Sequence, residues 1–231
     1  MKSIASTNIG MRTINEDAFY EGQKLYIMCD GVGGLPYGEV ASALACSAIA
    51  DYLTQCPTET LDRPDLENLL SFIKKAFESK EAQYPEIKGM ATTVVLVYFT
   101  TRGAYVAWIG DSRMYHLRDG EICFVTEDHS LVNELAKQHK DTTHIGRNYI
   151  TKSLHATTID SFSSHYILAE DVQKDDFFFL CTDGVLENID DSTLASLFRK
   201  EQSIADIKAQ ILDKCAQKTK DNFTFEIIQI N

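Results

Sequence analysis

The sequence predicts an α+β fold: a central antiparallel β-sandwich with pairs of helices on its outer faces. Short segments rich in β-branched and aromatic residues outnumber the helical ones and follow each other through tight turns, which favours antiparallel pairing. Amphipathic helical patterns fall into two separate blocks, as expected when helices are added outside a sandwich. With 231 residues, 44% hydrophobic and 24% charged, the chain can fill a sizeable core. It has only 4 prolines and 12 glycines and shows neither a linker nor a repeat, so one domain over residues 1–231 is expected.

The elements follow in order. Residues 24–29 form the first predicted strand. A helix over 38–55 is ended by Pro57, and a second over 64–83 is opened by Arg63-Pro64-Asp65; Leu66, Leu69, Leu70, Ile73 and Phe77 share one face of it. Strands are predicted at 91–99, 103–109, 113–117 and 121–125. The first two are joined by a hairpin at 100–103 and the last two by the Asp119-Gly120 pair that tight hairpin turns favour. A helix over 131–138 comes next, then strands at 164–168 and 176–181. Helices over 192–200 and 203–219 follow, the latter carrying Ile204, Ile207, Ile211, Leu212 and Cys215 as a stripe, before a last strand at 223–230.

Charge narrows the function. The 34 acidic and 22 basic side chains give a formal net charge of −12. Such a surface repels nucleic-acid phosphates and anionic lipid, so neither a nucleic acid nor a membrane is expected as a partner; it suits a protein that collects cations. The longest apolar runs, 94–99 and 177–181, are far short of the roughly 20 residues that cross a bilayer. No apolar stretch with a cleavage site opens the sequence, so the expected location is the cytoplasm. Cys29, Cys46, Cys56, Cys123, Cys181 and Cys215 show no C-x-x-C spacing and read as reduced core thiols.

The most informative pattern is that single aspartates stop apolar strands: Asp30 after 25–29, Asp111 after 105–110 and Asp183 after 177–182. A carboxylate beside a buried strand costs several kcal/mol unless its charge is compensated, in the order of magnitude expected for buried ions. Glu16-Asp17 near the start and Asp221-Asn222 before the last strand add further oxygen donors. An all-oxygen set suits a hard divalent cation, whereas zinc would call for His and Cys. Single Asp-Gly pairs usually do no more than make turns. No stretch has EF-hand spacing, and Asp30-Gly-Val-Gly-Gly34 lacks the Gly-Lys-Ser/Thr ending of a nucleotide loop.

Seven motifs stand in order along nearly the whole chain: Gly10-Met-Arg12-Thr-Ile-Asn15-Glu16-Asp17, Asp30-Gly-Val-Gly-Gly34, Gly89-Met-Ala-Thr92-Thr93, Ile109-Gly-Asp111-Ser112-Arg113, Thr126-Glu-Asp-His129-Ser130, Cys181-Thr-Asp183-Gly184 and Asp221-Asn222-Phe-Thr224. In them the chain resembles the PP2C-type metal-dependent protein phosphatases in their compact bacterial form. The resemblance implies the sandwich read above, hydrolysis of phosphoserine and phosphothreonine in proteins during signal transduction, and dependence on manganese or magnesium. It implies that Asp17, Asp30, the Gly31 carbonyl, Asp183 and Asp221 hold two ions. A third, weaker ion would lie at Asp111 and Asp183, with Glu16, Asn222 and His129 supporting the ligands from behind. Arg12 stands where the family grips the substrate phosphate, a task that suits a guanidinium fork; otherwise it would be a surface Arg paired with Glu16 or Asp17.

Two ions would activate a water for in-line attack on phosphorus. The histidine that animal relatives carry after the Asp-Gly pair is replaced by Val32. The proton donor to the leaving group is therefore open between a water near Asp111 and His129, and His129 equally fits a structural role. A short flap is expected at about 136–149, followed by Lys152 where the family commonly has Arg. Phosphorylated proteins are the implied substrates and a Ser/Thr protein kinase of the same pathway the implied partner. A noncatalytic phosphoprotein-binding or partner-binding module of the same fold is the alternative. A metal phosphodiesterase or nuclease is disfavoured by the charge.

Overall fold

The computed structural model describes residues 1–142, 144, 146, 149–158, 160–216 and 218–231. The strands it describes are β1 Lys2–Asn8, β2 Asp17–Glu21, β3 Leu25–Asp30, β4 Val94–Thr100, β5 Gly103–Ile109, β6 Arg113–Arg118, β7 Glu121–Val125, β8 Ser163–Leu168, β9 Phe177–Cys181 and β10 Phe223–Gln229. The helices are α1 Gly38–Gln55, α2 Arg63–Gln83, α3 Leu131–Lys137, α4 Asp183–Leu186, α5 Asp191–Leu197 and α6 Ile204–Cys215. All the strand pairings are antiparallel, and they build two sheets, ordered β1-β10-β9-β6-β7 and β2-β3-β4-β5-β8.

The core lies in three layers. Between the sheets pack Tyr26, Met28, Val95, Val97, Trp108, Phe178 and Leu180. Outside the second sheet, Ala41, Ala45 and Ala48 of α1 let that helix lie close to Ile27, Cys29 and Leu96, with Leu69, Ile73 and Phe77 of α2 in the same cluster. Outside the first sheet, Leu194 of α5 and Ile207, Ile211 and Cys215 of α6 cover Phe177, Phe179 and Phe225. Central strands are thus buried on both faces, which is why β4 and β5 read as continuous apolar runs instead of alternating ones. The α+β sandwich with helices outside is the expected architecture.

Local chemistry sets the boundaries. A reciprocal cap between Asp62 and Asp65 starts α2, with a proline in its first turn. Asp119 and Gly120, at φ 45° and 86°, make the β6–β7 turn. Two helix ends fall short of expectation, and one helix is added. The Asp190 carboxylate caps α5, which ends at Leu197, before the expected residue 200. The last helix ends at Cys215 instead of 219 because Ala216 leaves the helical region at ψ 132°, and the Thr219 hydroxyl and amide then satisfy the Cys215 carbonyl. The short α4 was not foreseen. Strands β1 and β2 were not foreseen either; both are partly exposed edge strands with polar sequences, so their signal was weak. The expected strand at 91–99 becomes regular only at Val94. All six cysteines are free; Cys29, Cys46, Cys181 and Cys215 are buried, but Cys56 and Cys123 are exposed and are not core thiols.

Of the expected flap, residues 143, 145, 147 and 148 lie outside the described residues. Its ends are joined by a bridge between Ser130 and Ile150 and by the Leu131 amide bonded to the Tyr149 carbonyl. Among the described residues no helix is long and apolar enough to cross a membrane.

Candidate active site

The sandwich brings the strand-ending carboxylates to one end of the molecule. Asp17 on β2 lies directly opposite Asp30 on β3. Asp183 opens α4 just after β9, and Asp221 precedes β10, the strand hydrogen-bonded to β9. Asp111 leaves the end of β5. Three glycines allow this approach. A Cβ on Gly31 would stand 2.5 Å from the Gly38 carbonyl carbon, so the Asp30 turn can rest on the start of α1 only with no side chain there. Gly10, at φ +59°, would drive a Cβ to 1.9 Å from the Asp221 carbonyl oxygen, and Gly184 would drive one to 2.0 Å from that of Asn222.

Asp17 is held by hydroxyls. Its Oδ2 accepts from Thr224 Oγ1 at 2.7 Å and Thr182 Oγ1 at 3.1 Å. Because Thr224 gives its proton to Asp17, the 2.8 Å contact from Thr7 Oγ1 must be donated by Thr7, which accepts in turn from Asn15 Nδ2 at 2.8 Å. The other oxygen, Oδ1, is buried with no hydrogen-bond partner. Asn222 ties the Arg12 loop down: its amide donates to the carbonyls of Ile9 and Ile14, and its Oδ1 accepts from the Glu16 amide. Thr93 clasps Asp30 from both sides, its hydroxyl accepting the Asp30 amide and its own amide donating to the Asp30 carbonyl at 2.7 Å.

Arg12 makes a two-pronged contact with Asp221, Nε to Oδ1 at 3.0 Å and Nη2 to Oδ2 at 2.6 Å. Its partner is therefore neither Glu16 nor Asp17. The Glu16 side chain turns instead to the start of α1, accepting from the Gly38 backbone, and the Gly31 amide donates to the Glu16 carbonyl. His129 sits behind Asp111. Its Nδ1 accepts from the Gly110 amide at 3.0 Å, so Nε2 carries the proton toward Ser163 Oγ at 2.8 Å, and the ring stacks on Trp108. Burial pushes its pKa down to about 4, so it is neutral at pH 7.

Burial also dominates the carboxylates. It lifts Asp17 to about 7, Asp111 to about 7 and Asp183 to about 6, and lifts Asp30 well above the usual range, with repulsion from neighbouring aspartates added in each case. Among the described residues no three His, Cys, Asp or Glu side chains already turn their donor atoms on one shared point. Arg12 engages Asp221, and Asp183 and Asp30 repel each other. The donor set still fits a hard divalent cation: it is all oxygen, its charges repel one another, and the buried Asp17 Oδ1 lacks any other partner. From Asp111 and Asp183 a groove of about 1000 Å³ runs past Arg113, Asp128, Glu187 and Asp191. Arg113 braces it with a fork onto Asp128 at 2.6 and 2.7 Å and a 3.2 Å contact to Asp191.

The site thus joins Arg12, Glu16, Asp17, Asp30, Gly31, Asp183, Asp221 and Asn222, with Asp111 and His129 at its flank. Thr7, Thr182 and Thr224 were missed as participants, although Thr182 and Thr224 sit inside motifs chosen for their aspartates.

A family model described as protein phosphatase 2C matches residues 6–221. The chain belongs to the protein phosphatase 2C family. Among its 2C relatives, the serine/threonine protein phosphatase PstP of Mycobacterium tuberculosis is 30% identical over 185 residues, covering 80% of this chain and 36% of PstP. The chain thus spans about a third of that relative's length. A putative 2C-type phosphatase of Streptococcus pyogenes is 26% identical and matches over nearly full length, 99% of this chain and 97% of the relative. The crystal structure of the PstP catalytic domain in complex with two manganese ions superposes with a TM-score of 0.84 at 26% identity, covering 100% of this chain and 98% of that one. The two-sheet architecture described above is thus the 2C fold.

Proposed function

We propose that this chain, acting as one domain over residues 1–231, hydrolyses phosphoserine and phosphothreonine in proteins. The reading rests on one observation above all: four aspartates from distant segments come to the same end of the sandwich, an oxygen-only set in which the buried Asp17 Oδ1 has no partner. Asp17, Asp30, the Gly31 carbonyl, Asp183 and Asp221 would hold two manganese or magnesium ions, and Asp111 with Asp183 a weaker third. When bound, such ions supply Lewis acidity and a water nucleophile at neutral pH.

The chain's own residues do the rest. Arg12 offers its fork to two oxygens of the phosphate and so fixes the orientation of the phosphorus. Thr224 and Thr182 lock the Asp17 rotamer, leaving Oδ1 to face a cation. Asn222 fixes the Arg12 loop against the start of β10. His129 holds the Gly110-Asp111 turn through Nδ1; neutral and already hydrogen-bonded at both nitrogens, it positions Asp111 and does not donate the proton to the leaving group. The proposed substrates are cytoplasmic phosphoproteins, products of a Ser/Thr protein kinase in the same pathway.

Hydrolysis of p-nitrophenyl phosphate and of a phosphothreonine peptide should require manganese or magnesium, stop with EDTA and be lost in Asp183→Asn. Turnover that survives chelation defeats the proposal. Wild-type protein that binds manganese and phosphopeptide but releases no phosphate would be the noncatalytic module instead.

A further inference from the structure

We propose that Arg12 and a divalent cation compete for the Asp221 carboxylate, so that metal loading frees the guanidinium that grips phosphate. This rests on reading Asp221 as a metal ligand and Arg12 as the phosphate ligand. The fork engages both Asp221 oxygens, at 3.0 and 2.6 Å. Each oxygen accepts only one of its lone-pair contacts from Arg12, so a cation on Asp221 either displaces a prong or shares the oxygen with it, and in both cases draws the negative charge away from the guanidinium and weakens the fork. A guanidinium has its five donors in a fixed plane, so losing one prong loosens the other.

The surroundings favour a swing of the side chain over a movement of the loop. The Arg12 backbone is pinned: its amide bonds the Ile9 carbonyl at 3.2 Å, and the Asn222 amide grips the carbonyls of Ile9 and Ile14 on either side. Gly10 is wedged against the Asp221 carbonyl. The side chain itself is half exposed, and Gly33 beside it has no side chain; even a Cβ there would only just reach the Arg12 Nη2, at 4.0 Å. The guanidinium can thus leave Asp221 with no change in the chain around it. A phosphate monoester offers the same paired oxygens as the carboxylate it leaves. Metal and phosphate would then favour each other through Arg12, and linkage makes that coupling reciprocal.

Calorimetric titration of the full chain with Mn²⁺, with and without submillimolar inorganic phosphate, tests this on wild type, Arg12→Ala, Arg12→Lys and Asp221→Asn. Lysine keeps the charge but not the fork. Both Arg12 variants should bind Mn²⁺ at the Asp221 site about 3- to 10-fold more tightly than wild type, the range expected for losing a two-pronged, partly exposed ion pair. Phosphate should tighten Mn²⁺ binding more in wild type than in either variant. If Arg12→Lys matches wild type while only Arg12→Ala tightens, simple charge repulsion explains the effect and the competition is refuted. Unchanged affinity in both variants refutes it too, and leaves the ligand assignment standing provided Asp221→Asn loses an ion. If Asp221→Asn binds Mn²⁺ as wild type does, Asp221 is not a ligand, and both the proposal and that part of the proposed site fail.

Discussion

Glu226 should destabilise the native protein at neutral pH, and Glu226→Met should relieve that cost. The residue lies on β10 opposite Ala5 of β1 and Leu180 of β9. Its neighbours along the strand, Phe225 and Ile227, face the helices, so Glu226 faces the space between the sheets, where Leu180 and Ile228 pack. It is fully buried, and neither carboxyl oxygen has a hydrogen-bond partner. Ser3, near this end of the interface, spends its hydroxyl on Glu21 instead. Burial, with the charge of Glu21 added, lifts the Glu226 pKa from 4.5 to about 9.

The folded state therefore holds a proton that the unfolded chain gives up above pH 4.5. The cost to stability is absent below that pH, grows as pH rises toward 9 and is constant beyond. At about 1.4 kcal/mol per pH unit, it reaches about 3 kcal/mol at pH 7, a large share of the roughly 5–15 kcal/mol that holds a typical domain together. Methionine has similar length and nothing to solvate, so Glu226→Met should gain about 2–3 kcal/mol at pH 7 and little at pH 5. For a chain of this size that is a rise in Tm of about 5–10 °C. Glu226→Gln should lose the pH dependence but keep the penalty of a buried amide, about 1–3 kcal/mol. Urea unfolding followed by the fluorescence of Trp108, with chelator present from pH 5 to 8.5, measures the difference between variant and wild type, in which the other titrations cancel. A difference that stays flat across this range, or a wild type more stable than Glu226→Met at pH 7, would show that Glu226 is ionised and paired, and would refute the reasoning.

Three further outcomes follow from the site. Thr224→Val keeps the shape but removes the 2.7 Å donor to Asp17 Oδ2, and should weaken Mn²⁺ binding by about 10-fold in calorimetry while costing no more than about 1 kcal/mol of stability. Gly10→Ala must place a methyl 1.9 Å from the Asp221 carbonyl at a positive φ, and should lose more than about 2 kcal/mol in thermal unfolding together with phosphatase activity. His129→Gln should lower activity by releasing the Gly110 turn yet leave the shape of the kcat–pH profile unchanged; a basic limb that disappears would instead make His129 the proton donor.

What the sequence revealed and what it hid divide along physical lines. The carboxylates at the ends of β3, β5 and β9 were legible because each interrupts a run of apolar residues, and a charge in that position demands an explanation. Glu226 interrupts Phe223-Thr-Phe-Glu-Ile in the same way, but sits within the strand and not at its end, so it passed as ordinary strand; alternation alone would have assigned it to the inner face. The threonines that hold Asp17 gave no such signal, since a hydroxyl in a strand is common and its role depends on which carboxylate faces it. The Arg12 partner was hidden by distance: Glu16 and Asp17 are near in sequence, whereas Asp221 is 209 residues away and arrives only when β10 pairs with β1. Edge strands β1 and β2 were hidden because their pairing is set by partners, not by their own half-exposed sequences.

The relay from Asn15 through Thr7 and Thr224 to Asp17 also crosses the sandwich, since Thr7 and Thr224 belong to one sheet and Asp17 to the other. The shape of the proposed metal site thus depends on how the two sheets sit against each other, and Glu226 lies two residues beyond Thr224 on the same inner face. If its penalty is purely electrostatic, Glu226→Met stabilises the sandwich without moving Thr224, and Mn²⁺ affinity should match wild type even as Tm rises. If the carboxyl instead props the sheets apart, the smaller demand for solvation in the variant lets them settle, Asp17 shifts against its hydroxyl donors, and Mn²⁺ affinity changes along with stability. Calorimetry on the same protein samples used for unfolding separates the two, and a change in affinity beyond about 3-fold, some 0.6 kcal/mol, would show that the interface and the site are not independent.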